Sequence, residues 1–514
     1  MFVGELLTRN ARRQPDKVAL TYGAKHNTFG ELNSHVDNLV QGFHRLGMKS
    51  GDRLAILADN CPEYVETLFA AAKAGLVAIP INTRLREEDI AFILQDSEAR
   101  ALILTEGYWE LIKSIRHQLT VIHHFITIGN GPGESYEGLA TSPSSPEFSA
   151  LLKEDDLYCI AYTGGTTGLP KGAMLSHRNI LAAVTDGVAD FGFNLNDVGL
   201  VCHPLFHVSA LWTMFTQFYM GSRCILMKQF EPHALLETVE REKVTNLGLA
   251  SPLVIALLHE PDISKFNLSS LRVLLYAGTP LPAEMLKRAI MVFGKVLYGC
   301  YALTEAVTCV TILRPEDQVM EGPPELTRRL SSCGRESLNT EVRVVDEDGQ
   351  KVAPDQVGEI TIRGDSIMKG YWKQPVRTAE TLKNGFLYTG DLATIDKSGF
   401  IYTFDRKVDT INSGGQRVSS KEVEETIYRH PAVQEVAVVG VPDIKLGEAI
   451  QAVIVLKEGK TASTADILQI CRQNLPAYAL PHSVDFVDRL PRNAIGKILK
   501  RTLREKYGGQ RRGT

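Results

Sequence analysis

The 514-residue sequence has no excess of one charge, no paired cysteine spacing and no long apolar run, and each absence removes a class of protein. The formal net charge is only −4, which leaves no broad electrostatic footprint for nucleic acid. Basic residues do gather near the C-terminus, from Arg489 through Lys497, Lys500, Arg501 and Arg504 to Arg512, but they are a local feature and nucleic acid is not an expected partner. The eight cysteines (Cys61, Cys159, Cys202, Cys224, Cys300, Cys309, Cys333, Cys471) show no CxxC spacing, which argues against a zinc ribbon or a disulfide framework and fits a reducing, cytoplasmic setting. The first twenty residues interrupt their apolar positions with Glu5, Arg9, Arg12 and Arg13, so no signal-peptide core is expected. LFAAAKAGLVAIPI (68–81) carries Lys73 and reaches a proline, too short and too broken to span a bilayer.

What is there is a chain long enough for two or more domains, 44% hydrophobic and 23% charged, an ordinary globular balance. DRLAILA (52–58) reads as a buried strand, PEYVETLFAAAKAG (62–75) as a helix opened by proline and closed by glycine, and LVAIPI (76–81) as the next strand. That is βαβ grammar, hence a parallel sheet covered by helices. ARALILT (99–105), HHFITIG (123–129) and DLYCIAYT (156–163) continue it, with 129–149 expected as a surface loop. Beyond residue 340, EVRVVDEDGQ, GEITIRG and GFIYTFDR carry hairpin punctuation and predict a β-barrel-like subdomain. After Arg406 a small α/β pattern follows: helix 421–430, strands 435–441 and 449–456, helix 464–475. The expected fold is α/β, with a large N-terminal domain of parallel βαβ sheets plus that subdomain (1–405) and a small mobile α/β C-terminal domain (406–514).

The stretch YTGGTTGLPKGAM (162–174) then needs an explanation, because it places four glycines, three threonines and one lysine directly after a predicted strand. Such a loop can turn several backbone N–H groups and hydroxyls into one concavity suited to a polyphosphate, with Lys171 supplying charge. A glycine-rich hairpin with no ligand is the plain alternative. A Walker A loop it is not, since Pro170 precedes Lys171 and Gly172 follows it. His203 and His207 stand four residues apart, but Pro204 between them argues against a helical metal pair, so zinc is not expected.

The stretch resembles the YTSGTTGxPKG signature of the acyl-adenylate-forming superfamily of acyl- and aryl-CoA synthetases, peptide-synthetase adenylation domains and firefly-type luciferases, with Gly164 where serine is usual. The resemblance continues in order through 51–82, PLFHVSAL (204–211), YAGTPL (276–281), YALTE (301–305), YTGD (388–391), FDRKVD (404–409), SGGQRVSSKEVE (413–424), GVPD (440–443) and PRNAIGKILKR (491–501). It implies an ATP-dependent acyl-CoA synthetase, most simply for a fatty acid, using ATP, Mg2+ and CoA. An aryl-acid CoA ligase, an adenylating enzyme serving a carrier protein, and a non-catalytic nucleotide- or acyl-binding module are the rival readings; a homodimer is left open. No fused carrier domain and no peroxisomal C-terminal tripeptide are expected.

The resemblance also distributes roles. Thr163, Gly164, Gly165, Thr166, Thr167, Gly168 and Lys171 are expected on the phosphates, Ala277, Gly278 and Thr279 on the adenine side, and Tyr301 among the residues that bind the nucleotide. Glu305 is the expected magnesium ligand, a helix-start glutamate being its plain alternative, and Thr304 positions the carboxylate or α-phosphate. Asp391 is expected on the ribose hydroxyls, Arg406 on the ribose or phosphate, and His207 as a gate at the acyl pocket unless it is only a buried histidine. Lys497 is expected to bridge carboxylate and α-phosphate, and Gly414 and Gly415 to form the thioester-side turn. Val408 stands where Lys or Asp is common at the hinge, and Ser420 replaces a frequent proline.

Overall fold

The structure, a computed structural model, describes residues 1–141, 152–163, 169–279, 281–407, 409–492 and 498–510. The chain forms two compact units, one of Met1–Thr163, Pro170–Val342 and Ile362–Leu387, the other containing Arg343–Thr361 and the chain from Tyr388 onward.

The first unit holds two large sheets. One has eight strands in the order Gly370–Tyr371, Lys171–Ser176, Leu157–Thr163, Val77–Pro80, Arg53–Leu57, Ala99–Thr105, His124–Ile128 and Glu134–Ser135. The other runs Arg335–Glu336, Cys309–Leu313, Leu297–Ala302, Val273–Ala277, Asn246–Ala250, Val198–Val201, Arg223–Leu226, Val18–Tyr22 and Lys25–Thr28. Their centres are parallel, as βαβ connections require, but each has an antiparallel margin: Leu157–Thr163 with Lys171–Ser176, and Leu297–Ala302 with Cys309–Leu313. The sheets are therefore mixed rather than parallel throughout.

The helix Pro62–Ala74 begins on its proline and ends at Gly75 in the left-handed conformation, as the sequence predicts. From Tyr64 to Ala72 every residue is buried, so it has no solvent face. Val208–Met220 is buried the same way, and the two meet through Phe69, whose ring centroid lies 5.5 Å from that of Phe215 and 4.7 Å from that of Phe218. The expected loop 129–149 is corrected in part: Tyr136–Ala140 is a short helix capped by the Ser135 hydroxyl. It exists because Tyr136 is buried and its hydroxyl donates to Glu66 Oε2 at 2.8 Å, anchoring the segment on the helix beneath.

In the second unit a five-stranded sheet follows the order Gln416–Val418, Ile411–Ser413, Gly447–Leu456, Val433–Asp443, with Ser483–Phe486 pairing on Gly447–Leu456. Helices Ser420–Tyr428 and Thr464–Asn474 bury Val423, Ile427, Ile467 and Cys471 against one face. The helix Lys500–Gln510 buries Leu503 and Tyr507 with Ala437, Val439 and Val453.

Candidate active site

Lys171 opens its strand opposite Thr163, so the glycine-rich segment joins two antiparallel strands. Gly164, Gly165, Thr166, Thr167 and Gly168 lie outside the described residues. At the near end the Thr163 hydroxyl is buried with no hydrogen-bond partner among the described residues. A buried hydroxyl left unpaired is costly, so an acceptor or donor is expected there.

Glu305 sits in a single 3-10 turn, Thr304–Ala306, after the strand Leu297–Ala302. Its backbone oxygen accepts from Met368 N at 2.8 Å, which ties the turn to the segment leading into Gly370–Tyr371. That short strand pairs with Lys171–Ser176, matching Tyr371 with Ala173. Three side chains distant in sequence thereby converge. Lys171 Nζ donates to Glu305 Oε1 at 2.9 Å and to the Tyr371 hydroxyl at 2.5 Å, and that hydroxyl donates to the same Glu305 oxygen at 2.7 Å. The ammonium also stands 4.2 Å from the Tyr371 ring centroid.

Electrostatics follow from this closeness. Burial alone would raise the Glu305 carboxyl, but the Lys171 charge and the hydrogen bonds from Lys171 and Tyr371 outweigh it, so the group lies below the usual carboxylate range. Burial, with Glu305 beside it, pushes the Tyr371 phenol well up, so it remains a donor at neutral pH. Val307, buried two residues after Glu305, holds φ at 65°, a strained conformation for a β-branched side chain. Neither Tyr371 nor Val307 was singled out in the sequence; Tyr371 lies two hundred positions from Lys171, and no local pattern links them.

The segment Ala277, Gly278, Thr279, expected on the adenine side, leaves the end of its strand, held by the Ser251 hydroxyl, which donates to the Thr279 carbonyl at 2.5 Å. Tyr301 lies on the adjacent strand opposite Thr311. His207 stands at the N-cap position of the helix Val208–Met220, its side chain making no capping bond. The turn before it is clamped by Asn60, whose amide donates to the His203 carbonyl at 3.0 Å and whose oxygen accepts from Leu205 N at 2.8 Å. Burial lowers His203 and His207 to about 4 each, leaving two neutral imidazoles. His203 Nδ1 has no well-formed partner among the described residues.

In the second unit Asp391 and Arg406 face each other across paired strands, and Arg406 Nε meets Asp391 Oδ1 at 3.1 Å. Gly414 and Gly415, at φ 58° and 79°, form the two-residue turn of a hairpin closed by Ser413 and Gln416. Lys497 and Val408 lie outside the described residues. Close to Lys497 in sequence, Lys500 Nζ meets Glu424 Oε1 at 2.8 Å and donates to the Ser420 hydroxyl at 2.6 Å.

The family described as AMP-binding enzyme matches residues 7–372, and its C-terminal domain matches residues 422–497. The chain belongs to the AMP-binding enzyme family. Among curated members it is 35% identical over 507 residues to a feruloyl-CoA synthase of Amycolatopsis sp., covering 98% of this chain and 99% of that one. It is 34% identical to a long-chain-fatty-acid–CoA ligase of Mycobacterium tuberculosis over 93% of both chains. Among solved structures, o-succinylbenzoate CoA synthetase from Bacillus subtilis with its acyl-adenylate intermediate superposes with a TM-score of 0.88 at 28% identity over 97% of both chains. The chain is thus an enzyme of the adenylate-forming acyl- and aryl-CoA ligase family.

Proposed function

We propose that this enzyme joins a fatty acid to coenzyme A through an acyl-adenylate. A carboxylate oxygen attacks the α-phosphorus of ATP and pyrophosphate leaves; the CoA thiolate then attacks the acyl carbonyl and AMP leaves. The observation that carries the reading is the contact of Lys171 with Glu305, a cation suited to a polyphosphate beside a carboxylate suited to a hard divalent ion. Thr163, whose buried hydroxyl has no partner among the described residues, fits the same ligand. Bound at Glu305, Mg2+ would supply neutralisation of phosphate charge. Asp391 is assigned to the ribose and Lys497 to the bridging of carboxylate and α-phosphate, both on the resemblance of their motifs.

The fatty-acid reading is supported by the 34% identity to a long-chain-fatty-acid–CoA ligase over 93% of both chains. A second reading, an aryl acid bearing a hydroxyl, is favoured by the 35% identity to a feruloyl-CoA synthase. Pyrophosphate release across saturated acids of graded length and hydroxycinnamates, with and without CoA, decides between them. Saturated acids are expected to give the highest kcat/KM, with thioester formed only when CoA is present. Preference for hydroxycinnamates would replace the fatty acid, and no carboxylate-dependent release would overturn adenylation itself.

A further inference from the structure

The Lys171–Glu305 pair poses a problem for the proposed reaction, on whose assignment of Glu305 to the metal the following rests. Lys171 Nζ has three protons and spends two of them on Glu305 and Tyr371; when it turns to a phosphate instead, the carboxylate loses one of its two side-chain donors while only 13% exposed. A buried carboxylate stripped of donors is expensive and free to turn. Lys171, on a four-carbon stem, can move. Tyr371 is held: its backbone N–H donates to the Thr378 hydroxyl at 2.9 Å, Trp372 N donates to the Gly172 carbonyl at 2.8 Å, and the residue is 3% exposed.

We propose that Tyr371 is a positioning residue for the metal-holding carboxylate, its hydroxyl remaining on Glu305 when a magnesium nucleotide draws Lys171 away. The phenol has a single proton. In the triangle it accepts from Lys171 and gives that proton to Glu305 Oε1, so departure of the lysine removes only a bond it accepts. Both donors meet on Oε1, so the hydroxyl fixes one carboxylate oxygen and leaves the other to a cation. Lys171 and Glu305 thereby exchange partners without the carboxylate ever lacking a donor.

The test measures binding rather than turnover. The full chain is titrated by calorimetry with α,β-methylene-ATP over a range of Mg2+ and separately in EDTA, for wild type, Tyr371→Phe, Tyr371→His and Glu305→Gln. Loss of one hydrogen bond to a charged group should raise the Mg2+ needed for half-maximal binding by about tenfold or more in Tyr371→Phe. Affinity in EDTA should change by about twofold or less, and Tyr371→His, which keeps an N–H donor, should recover part of the Mg2+ response. Wild-type Mg2+ dependence in Tyr371→Phe overturns the proposal. So does an equal loss with and without Mg2+, or a Phe variant that does not fold, since either marks a purely structural tyrosine. If Glu305→Gln leaves the Mg2+ dependence unchanged, or the wild type binds no magnesium nucleotide, the assignment of Glu305 fails and the role of Tyr371 fails with it.

Discussion

Buried histidines set a pH limit at the scale of single residues. His177, His203 and His207 are all lowered to about 4, burial being the first cause in each. A folded-state value below the ordinary 6.5 means that the unfolded chain takes up protons the folded chain refuses, so stability is full above about 6.5 and falls as pH drops toward 4. Each isolated group should cost about 1 kcal/mol between pH 7 and pH 5.5. His177 is the clean test, because its Nδ1 accepts the Val3 N–H at 3.3 Å and an asparagine oxygen can replace it. Urea midpoints for His177→Asn should decline less steeply over that interval than those of the wild type; parallel decline would show that His177 already titrates normally in the fold. The histidines also mark how far residue-level reading reaches. His207 was legible as a motif position, but its neutrality comes from packing that no motif displays. Tyr371 was illegible for a different reason: its partners come from other strands, and only the pairing of Gly370–Tyr371 with Lys171–Ser176 brings it to them.

Elements were easier to read than residues, because helix ends carry local chemistry. Pro62 at the first turn and Gly75 at the end bounded the first buried helix in sequence, and the structure keeps both. The glycine does more than stop the helix. A Cβ on Gly75, at φ 71°, would stand 2.6 Å from Ser50 Oγ and 2.8 Å from Leu152 Cδ2, whereas one on Gly192, which ends His177–Phe191 at φ 62°, would meet nothing within 4 Å among the described residues. Gly192→Ala should therefore cost about 1 kcal/mol of backbone strain, and Gly75→Ala that amount plus a steric term of about 1–3 kcal/mol. Equal losses in urea unfolding would mean that the packing around Gly75 yields freely. The elements that escaped sequence reading lacked such signals. Tyr136–Ala140 is only five residues long and depends on Glu66 of another helix, and the antiparallel margins of the sheets arise from pairings that strand patterns alone do not orient. Strand existence is written in apolar runs; strand direction is settled by the connection.

For the whole molecule, the proposed reaction has two halves that need different chemistry at the acyl carbon. The first needs a cation between two anions, the task assigned to Lys497; the second needs an approach for a thiol beside a small turn, the task assigned to Gly414 and Gly415. If one mobile C-terminal domain delivers them in turn, damage to one should spare the other half. Lys497→Ala should lose about 10²-fold or more of acyl-AMP formation, by analogy with removal of one electrostatic stabiliser, yet convert supplied acyl-AMP and CoA to thioester at nearly the wild-type rate. Gly415→Leu should do the reverse. A Cβ there meets nothing within 4 Å among the described residues, so the effect on the first half should be confined to the backbone strain of a residue at φ 79°. Gly415→Ala carries that strain without the bulk, and should leave thioester formation much closer to wild type than the leucine does. Each half-reaction is measured separately on all three variants, pyrophosphate release for the first and thioester from synthetic acyl-AMP for the second. Equal depression of both halves by both Lys497→Ala and Gly415→Leu would mean that the lysine and the turn act together, and an alternating C-terminal domain would then be the wrong mechanism for this enzyme.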